Sequence, residues 1–195
     1  MNAPRHLWSR YTPSVAKRGY NRDTIRGGAS DWDVSRPFSS YLRLLASLLA
    51  HPFRFFEVLP RVPDMRAPGL FLAFSGLPAA LVWFVAGGSY EAIIVLLIPL
   101  PLSFAVAGLY YAGAFGGRHG YRVTWRTVAY PLGFYLPLSA VPVISWFAAA
   151  YAGIVLMTIG LSEVQEIPRL RALLVSSVAV GMLLLAAYLI FRTWF

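Results

Sequence analysis

The chain has 195 residues, of which 58% are hydrophobic, 15% aromatic and 13% charged. A soluble domain of this length rarely has such a composition, which indicates an integral membrane protein with one helical bundle. The net charge is +9, but the basic residues avoid the apolar stretches, so they indicate membrane topology rather than nucleic-acid binding. The absence of cysteine excludes disulfides, a thiolate nucleophile and cysteine-ligated metal sites.

Residues 1–38 are predicted to form an extended cytoplasmic tail. They are rich in Arg, Ser, Gly, Asp and Pro and have no helical or strand periodicity, so alone in water we expect disorder. The tail contains Trp8, Tyr11, Tyr20 and Trp32. Either these aromatic residues anchor it, with its arginines, on a partner or on anionic headgroups, or the tail is solvated and its charge only sets topology.

Residues 39–65 contain a predicted amphipathic helix of about three turns, with leucines recurring on one face and Arg43, Ser47 and His51 on another. Pro52 ends it and begins a second short segment that contains Arg54. This region is too short to span a bilayer. It either lies in the membrane interface, with Arg43 and Arg54 at headgroups or a partner, or packs on the cytoplasmic end of the bundle.

Residues 66–195 are predicted to form the transmembrane bundle. Long uncharged intervals predict spans at about 69–88, 92–115, 127–140, 143–161 and 172–191. The third and fourth come from one uncharged interval that would measure about 54 Å as a single helix, so it must turn back near Pro137 and Pro142, unless it is one tilted or re-entrant element. The expected fold is therefore all-α, with about five transmembrane helices after an interfacial helix and a tail.

The basic residues predict the orientation. Under five spans, sixteen of the seventeen lie on the side of the N-terminus, and only Arg192 lies on the other. The positive-inside rule then places the N-terminus in the cytoplasm and the C-terminus outside. We expect the cytoplasmic membrane of a bacterium.

The sequence predicts no catalytic site, no metal site and no cofactor. Within the predicted spans there is no ionisable residue apart from Glu91 at a boundary, which argues against ion coupling. His6, His51 and His119 lack metal-ligand spacing. The loop with Gly116, Gly117 and Gly120 has neither a Walker motif nor a dinucleotide fingerprint.

Small residues predict close helix packing. Gly108, Ala112 and Gly116 recur every four residues, as do Ala149 and Gly153, and such spacing allows backbones to approach closely within the bundle or against a partner. Prolines interrupt several spans and predict kinks. Kinked spans also suggest the alternative of a small permease or channel, with a polar pathway lined by Tyr110, Tyr111, Tyr130 and Tyr135.

Several motifs together resemble the Yip1-domain family across about residues 48–192. They are His51-Pro52-Phe53-Arg54-Phe55-Phe56, Gly120-Tyr121, Thr124-Trp125-Arg126, Tyr130-Pro131, the turn from Pro137 to Trp146, Gly160-Leu161, and Ile167-Pro168-Arg169-Leu170-Arg171-Ala172. The resemblance implies a five-span bundle that interacts with other membrane proteins and supplies no catalytic residues.

We therefore expect a non-enzymatic membrane protein that scaffolds, assembles or stabilises membrane partners. Its expected partners are membrane lipids and other integral membrane proteins, and not nucleic acid. An accessory subunit of a hetero-oligomeric complex, for example a photosynthetic or respiratory one, fits this expectation.

Overall fold

The computed structural model describes residues 32, 33, 35–61, 64–115 and 119–194, and within these ranges it contains helices and no strand. The helices are α1 Pro37–Ala50, α2 Pro52–Val58, α3 Arg66–Val85, α4 Ser89–Leu97, α5 Pro99–Gly113, α6 Tyr121–Ser139, α7 Pro142–Val164 and α8 Arg169–Trp194. Proline begins α1, α2, α5 and α7, where its missing N–H costs no helical hydrogen bond.

Three helices, α3, α7 and α8, are long and apolar enough to cross a membrane. The helices α4 and α5 form a fourth candidate if they are taken together as one broken span, with a bend of 48° before Pro99. Within the described residues, the prediction of an all-helical chain with apolar helices able to cross a membrane is confirmed, and three to four such helices are found; the predicted count of five is not confirmed.

The helix α6 falls outside that set because it is less apolar, yet it is the most enclosed helix described. It begins at Tyr121, six residues before the predicted span 127–140, so Arg122 and Arg126 belong to the helix and not to a loop. It packs against α3, α5 and α7, and twelve of its residues are buried. Protein rather than lipid surrounds much of its surface, so it does not need an apolar exterior.

Contacts between α6 and α7 show that the two helices run antiparallel over most of their lengths. At one end the Gln165 side chain donates to Thr124 Oγ1 over 2.8 Å. Toward the other end the rings of Phe134 and Tyr151 lie 5.6 Å apart. The turn at Ala140 and Val141 therefore reverses the chain, as the sequence predicted.

A π-helical segment, Tyr151–Leu156, interrupts α7 where three helices meet. The Tyr110 hydroxyl of α5 donates a 2.9 Å hydrogen bond to the Gly153 carbonyl. On α8, Val180 packs so closely that a Cβ on Gly153 would lie 2.7 Å from its Cγ2. A glycine is needed here because any side chain would push α7 and α8 apart.

Residues 32–61, here called the arm, fold back over the bundle. The ring of Trp32 lies 5.1 Å from that of Phe74, and the ring of Tyr41 lies 5.5 Å from that of Phe71. Further along, Phe55 meets Tyr130 edge-on at 5.0 Å. The arm thus covers one face of α3 and α6 with aromatic side chains.

A short turn starts the arm. The backbone N–H and the hydroxyl of Ser35 both donate to Asp33 Oδ1, at 2.9 and 2.6 Å. These bonds, the hydroxyl first, hold the pKa of Asp33 below its usual value. The Asp33 N–H also donates to Ser40 Oγ over 3.0 Å, which ties the turn to α1.

The two ends of the bundle differ in packing. The arginine-rich end is where α3, α6 and α8 begin and α5 and α7 finish. There the arm and the helix ends are closely packed. Toward the opposite end α8 loses its neighbours, and every residue from 181 to 189 is exposed. Only 17% of the most apolar stretch of α8 is buried, against 39% for α3.

Replacement of Gly133 by alanine tests the close contact between α3 and α6. The new Cβ would lie 2.6 Å from the ring of Phe71, which is fully buried and cannot swing away. We expect the free energy of unfolding to fall by about 1–3 kcal/mol. The control is Gly108→Ala, whose Cβ meets no atom within 4 Å and should be neutral or slightly stabilising. Equal melting temperatures of the two purified variants in detergent would contradict this packing.

Candidate functional site at the arginine-rich end

An ion pair fastens the arm to the link between α7 and α8. One guanidinium N–H group of Arg61 donates a hydrogen bond to the carboxylate of Glu166. The other guanidinium nitrogen donates to the backbone carbonyl of Glu163 over 2.9 Å. The two paired side chains are only 11% and 18% exposed. A charge-assisted bond at this degree of burial loses little to solvent screening.

Glu166 has a strained backbone. Its φ angle is 55°, in the left-handed region that glycine and asparagine prefer, and for another residue this conformation costs about 1–2 kcal/mol. The strain falls one residue after Gln165 ends α7, where the chain must turn sharply to begin α8. The bond to Arg61 offsets part of that cost because it holds the carboxylate in place.

Gln165 joins three parts of the chain inside the protein. Its side chain is 1% exposed, its amide group donates to Thr124 Oγ1, and its carbonyl oxygen accepts the backbone N–H of His119 over 3.0 Å. Both ends of the side-chain amide are therefore satisfied, as burial requires. This residue holds the first turn of α6, and His119 two residues before that helix, against the end of α7.

Arg126 lies beside these groups and is 1% exposed. Its position is three residues after Val123 and four before Tyr130, so the three side chains share one face of α6. Val123 and Tyr130 belong to the apolar cluster that also contains Leu48 and Phe56 of the arm. The arm therefore covers the face of α6 that carries this arginine.

A cavity of about 490 Å³ opens beside the Arg61 ion pair. Its lining comprises Glu57, Arg61, Ser162, Glu163, Glu166, Ile167 and Pro168. Three carboxylates and one guanidinium give it a net negative charge, so it favours cationic or hydrogen-bond-donating groups. In the described part of the chain no group of three or more His, Asp or Glu side chains is placed to hold a metal ion.

The predicted contact residues lie in different places. Trp8, Tyr11 and Tyr20 are outside the described residues. Trp32 is 2% exposed, because its ring is packed against Phe74 within the chain. Arg43 and Arg54 are exposed on the arm.

The predicted packing residues also separate into two groups. Gly153 makes the close contact with α8 described above. Ala149 is half-buried, Ala112 is exposed, and a Cβ on Gly108 would meet no atom within 4 Å. Gly116 lies outside the described residues. Within the chain, then, Gly153 packs tightly and the pair on α5 faces outward.

Sequence reasoning missed the central members of this site. Arg61 and its two partners, Glu163 and Glu166, are more than 100 residues apart in the chain. The only signal was that each lies just outside an uncharged interval, which indicates a shared bundle end but not a pair. Close contacts at Gly113, Gly133 and Gly160 were also missed, although Gly113 and Gly133 each have a small residue four positions away, Gly117 and Ala129 respectively.

Comparison with family models, with curated proteins and with solved structures found no match for this chain. The resemblance to the Yip1-domain family therefore stays a prediction that rests on the motifs quoted above.

Replacement of Arg61 by glutamine tests the role of the ion pair. The substitution leaves the carboxylate of Glu166 without this partner. We expect the free energy of unfolding to fall by about 1–3 kcal/mol and proteolysis within residues 32–61 to become faster. The matched control is Arg169→Gln. The side chain of Arg169 is 72% exposed, lies 3.4 Å from Glu163 and stands 5.5 Å from the ring centre of Phe53, so its replacement should lower the free energy of unfolding by under about 1 kcal/mol.

A double-mutant cycle with Glu166→Gln separates the pair from its surroundings. If the two residues act together, the free energy of unfolding of the double variant should fall by much less than the sum of the decreases in the two single variants. Additive losses would show that the arm is held by its aromatic contacts alone.

Proposed function

We propose that this protein is a non-enzymatic membrane scaffold that binds other integral membrane proteins through the outward faces of α5 and α8, as an accessory subunit of a larger complex. The observation that carries the proposal is the orientation of Gly108 and Ala112. Both are small and they are four residues apart; among the described residues no atom lies within 4 Å of a Cβ placed on Gly108, and Ala112 is exposed. Such a pair lets a helix of another protein approach closely.

The uneven packing of α8 supports the same proposal. This helix has 26 residues and is about 39 Å long, yet its neighbours cover mainly its first half. Ala172, Ser176 and Ala179 form its buried stripe. Beyond them the helix offers an apolar surface on all sides, suited to lipid and to transmembrane helices of partners.

We propose five membrane crossings, with α4 and α5 as one broken span and α6 as the third. The support for α6 is its antiparallel contact with α7, which is itself long and apolar enough to cross. A helix that accompanies a crossing helix over most of its length crosses with it. With the basic residues on the inner side, the N-terminus is cytoplasmic, the C-terminus is outside, and the membrane is a bacterial inner membrane.

We also propose that α1 lies at the cytoplasmic membrane interface. One face of α1 packs on α3 and α6, so the bundle fixes its position. Another face exposes Phe38, Leu42 and Leu49, which favours contact with acyl chains.

A permease remains the second candidate. Of the four tyrosines that would line its pathway, Tyr110 and Tyr130 are buried and packed against neighbours, Tyr135 is half-buried and Tyr111 is exposed. Tyr110 donates its hydroxyl to Gly153. The cavity described above lies at the ends of the helices, so the described contacts favour the scaffold.

Co-purification from the native membrane tests the scaffold. We expect Gly108→Leu to lose stoichiometric partners on a native gel while its melting temperature stays within a few degrees of the wild type, because the new side chain meets open space. Gly153→Leu should instead lower the melting temperature, since it collides with Val180. Retention of partners by Gly108→Leu, or a clean wild-type monomer, would contradict the proposal.

Single-cysteine labelling tests the five crossings, and the chain has no native cysteine to interfere. A membrane-impermeant maleimide should reach cysteines placed at Ser89, Val141 and Arg192 from one side and at Arg122 from the other. Labelling of positions 122 and 141 from the same side would show that α6 does not cross.

A further inference from the structure

Helix α1 has three distinct faces rather than two. At 100° per residue, Ser40, Tyr41, Leu44 and Leu48 fall on one face, and all four are buried against the bundle. Phe38, Leu42 and Leu49 fall on a second face about 120° away, and Arg36, Ser39, Arg43 and Ser47 fall on a third. A helix that only packed on a soluble protein surface would not need the second face.

The second face is apolar and exposed. Phe38, Leu42 and Leu49 are 65%, 47% and 64% exposed, although the other face of the same helix is fully packed. Phe53, the second residue of α2, is also 52% exposed, and the guanidinium of Arg169 lies 5.5 Å from the centre of its ring. In water the second face would be an unfavourable apolar patch, whereas acyl chains cover it without a specific protein partner.

The third face is basic. Arg36 and Arg43 are both exposed and, seven residues apart, stand about 10 Å apart along the helix. Arg54 follows on α2. The nearby acidic groups are Asp33, whose carboxylate is held by the two bonds from Ser35, and the exposed Glu57.

The chain before α3 is strongly basic as a whole. It carries ten basic residues and five acidic ones in sequence, and six of the basic residues precede the arm. In sequence, this excess of positive charge runs up to and includes Arg36 and Arg43. The net positive charge of this part of the chain attracts anionic lipids that lie within about a Debye length of it.

We infer that the outer surface of the arm binds anionic phospholipids, with Phe38, Leu42 and Leu49 among the acyl chains and Arg36, Arg43 and Arg54 at the phosphates. This inference rests on the proposed interfacial position of α1. Guanidinium groups suit the phosphates because they donate two parallel hydrogen bonds. The bundle face holds α1 in place, so the arginines are presented without the cost of ordering a free helix.

Two measurements on the full-length protein in vesicles test the position and the lipid preference separately. The first is nitroxide labelling of single cysteines at Leu42, Leu49, Arg43 and Ser47. The relaxation of spin labels at positions 42 and 49 should be enhanced mainly by oxygen, which concentrates among acyl chains. Positions 43 and 47 should be relaxed mainly by a water-soluble nickel chelate.

The second measurement compares spin-labelled phosphatidylglycerol with spin-labelled phosphatidylcholine at the protein boundary. Arg43→Gln should reduce the preference for phosphatidylglycerol by about two- to fivefold, and the triple change at positions 36, 43 and 54 should reduce it further. The matched control is Arg192→Gln, which removes the same charge from the opposite end of α8 and should leave the preference near that of the wild type.

The possible results separate the two ideas. If labels at 42 and 49 are acyl-exposed but the triple variant keeps its lipid preference, the interfacial position survives and the anionic-lipid site is wrong. If those labels meet the nickel chelate, both are wrong. Protection of positions 42 and 49 from both reagents in native membranes, but not in vesicles, would show that a protein partner covers this face and would overturn the lipid assignment.

Discussion

The burial of α6 is the constraint on which the rest of the molecule depends. This helix carries Arg126, Thr124 and Thr127 among its buried residues, and such groups are costly when they face hydrocarbon. Other parts of the chain shield these groups from lipid, because α3, α5 and α7 pack around α6 and the arm covers its first turns. The most polar helix of the bundle is therefore also its most enclosed one, whereas α8, the most apolar of the candidate spans, packs along one stripe only.

The arm follows from that constraint. Without residues 32–61, the face of α6 with Val123, Arg126 and Tyr130 would lose its cover from Leu48, Phe55 and Phe56. Aromatic and leucine side chains pack the arm against the bundle, while the bond from Arg61 to Glu166 fixes where the arm ends. The strained φ of Glu166 is understandable in this setting, because the turn from α7 to α8 must place a carboxylate beside Arg61.

The extent of the apolar spans could be predicted from the sequence, since uncharged intervals mark what can enter a bilayer. The predicted spans 69–88, 143–161 and 172–191 correspond to α3, α7 and α8 within three residues at each boundary where the comparison can be made. The predicted span 92–115 corresponds to α4 and α5, with a bend at one of the prolines expected to kink it. The predicted third span begins six residues after the start of α6, because Arg122 and Arg126 interrupt the uncharged interval on which the prediction rests, and that rule fails for a helix surrounded by protein.

The site could not be predicted in the same way, for a physical reason. Hydropathy and periodicity describe how each segment meets solvent or lipid, but the contacts of Arg61, Gln165 and Arg126 depend on which segments meet each other. Gly108 and Gly153 illustrate the difference, because both belong to four-residue repeats of small residues, yet only Gly153 has a neighbour within the chain. The repeat indicates that close approach is permitted at both positions. Helix α8 makes such a close approach at Gly153, whereas at Gly108 no described atom lies near a Cβ, which is why we propose that a second membrane protein packs there.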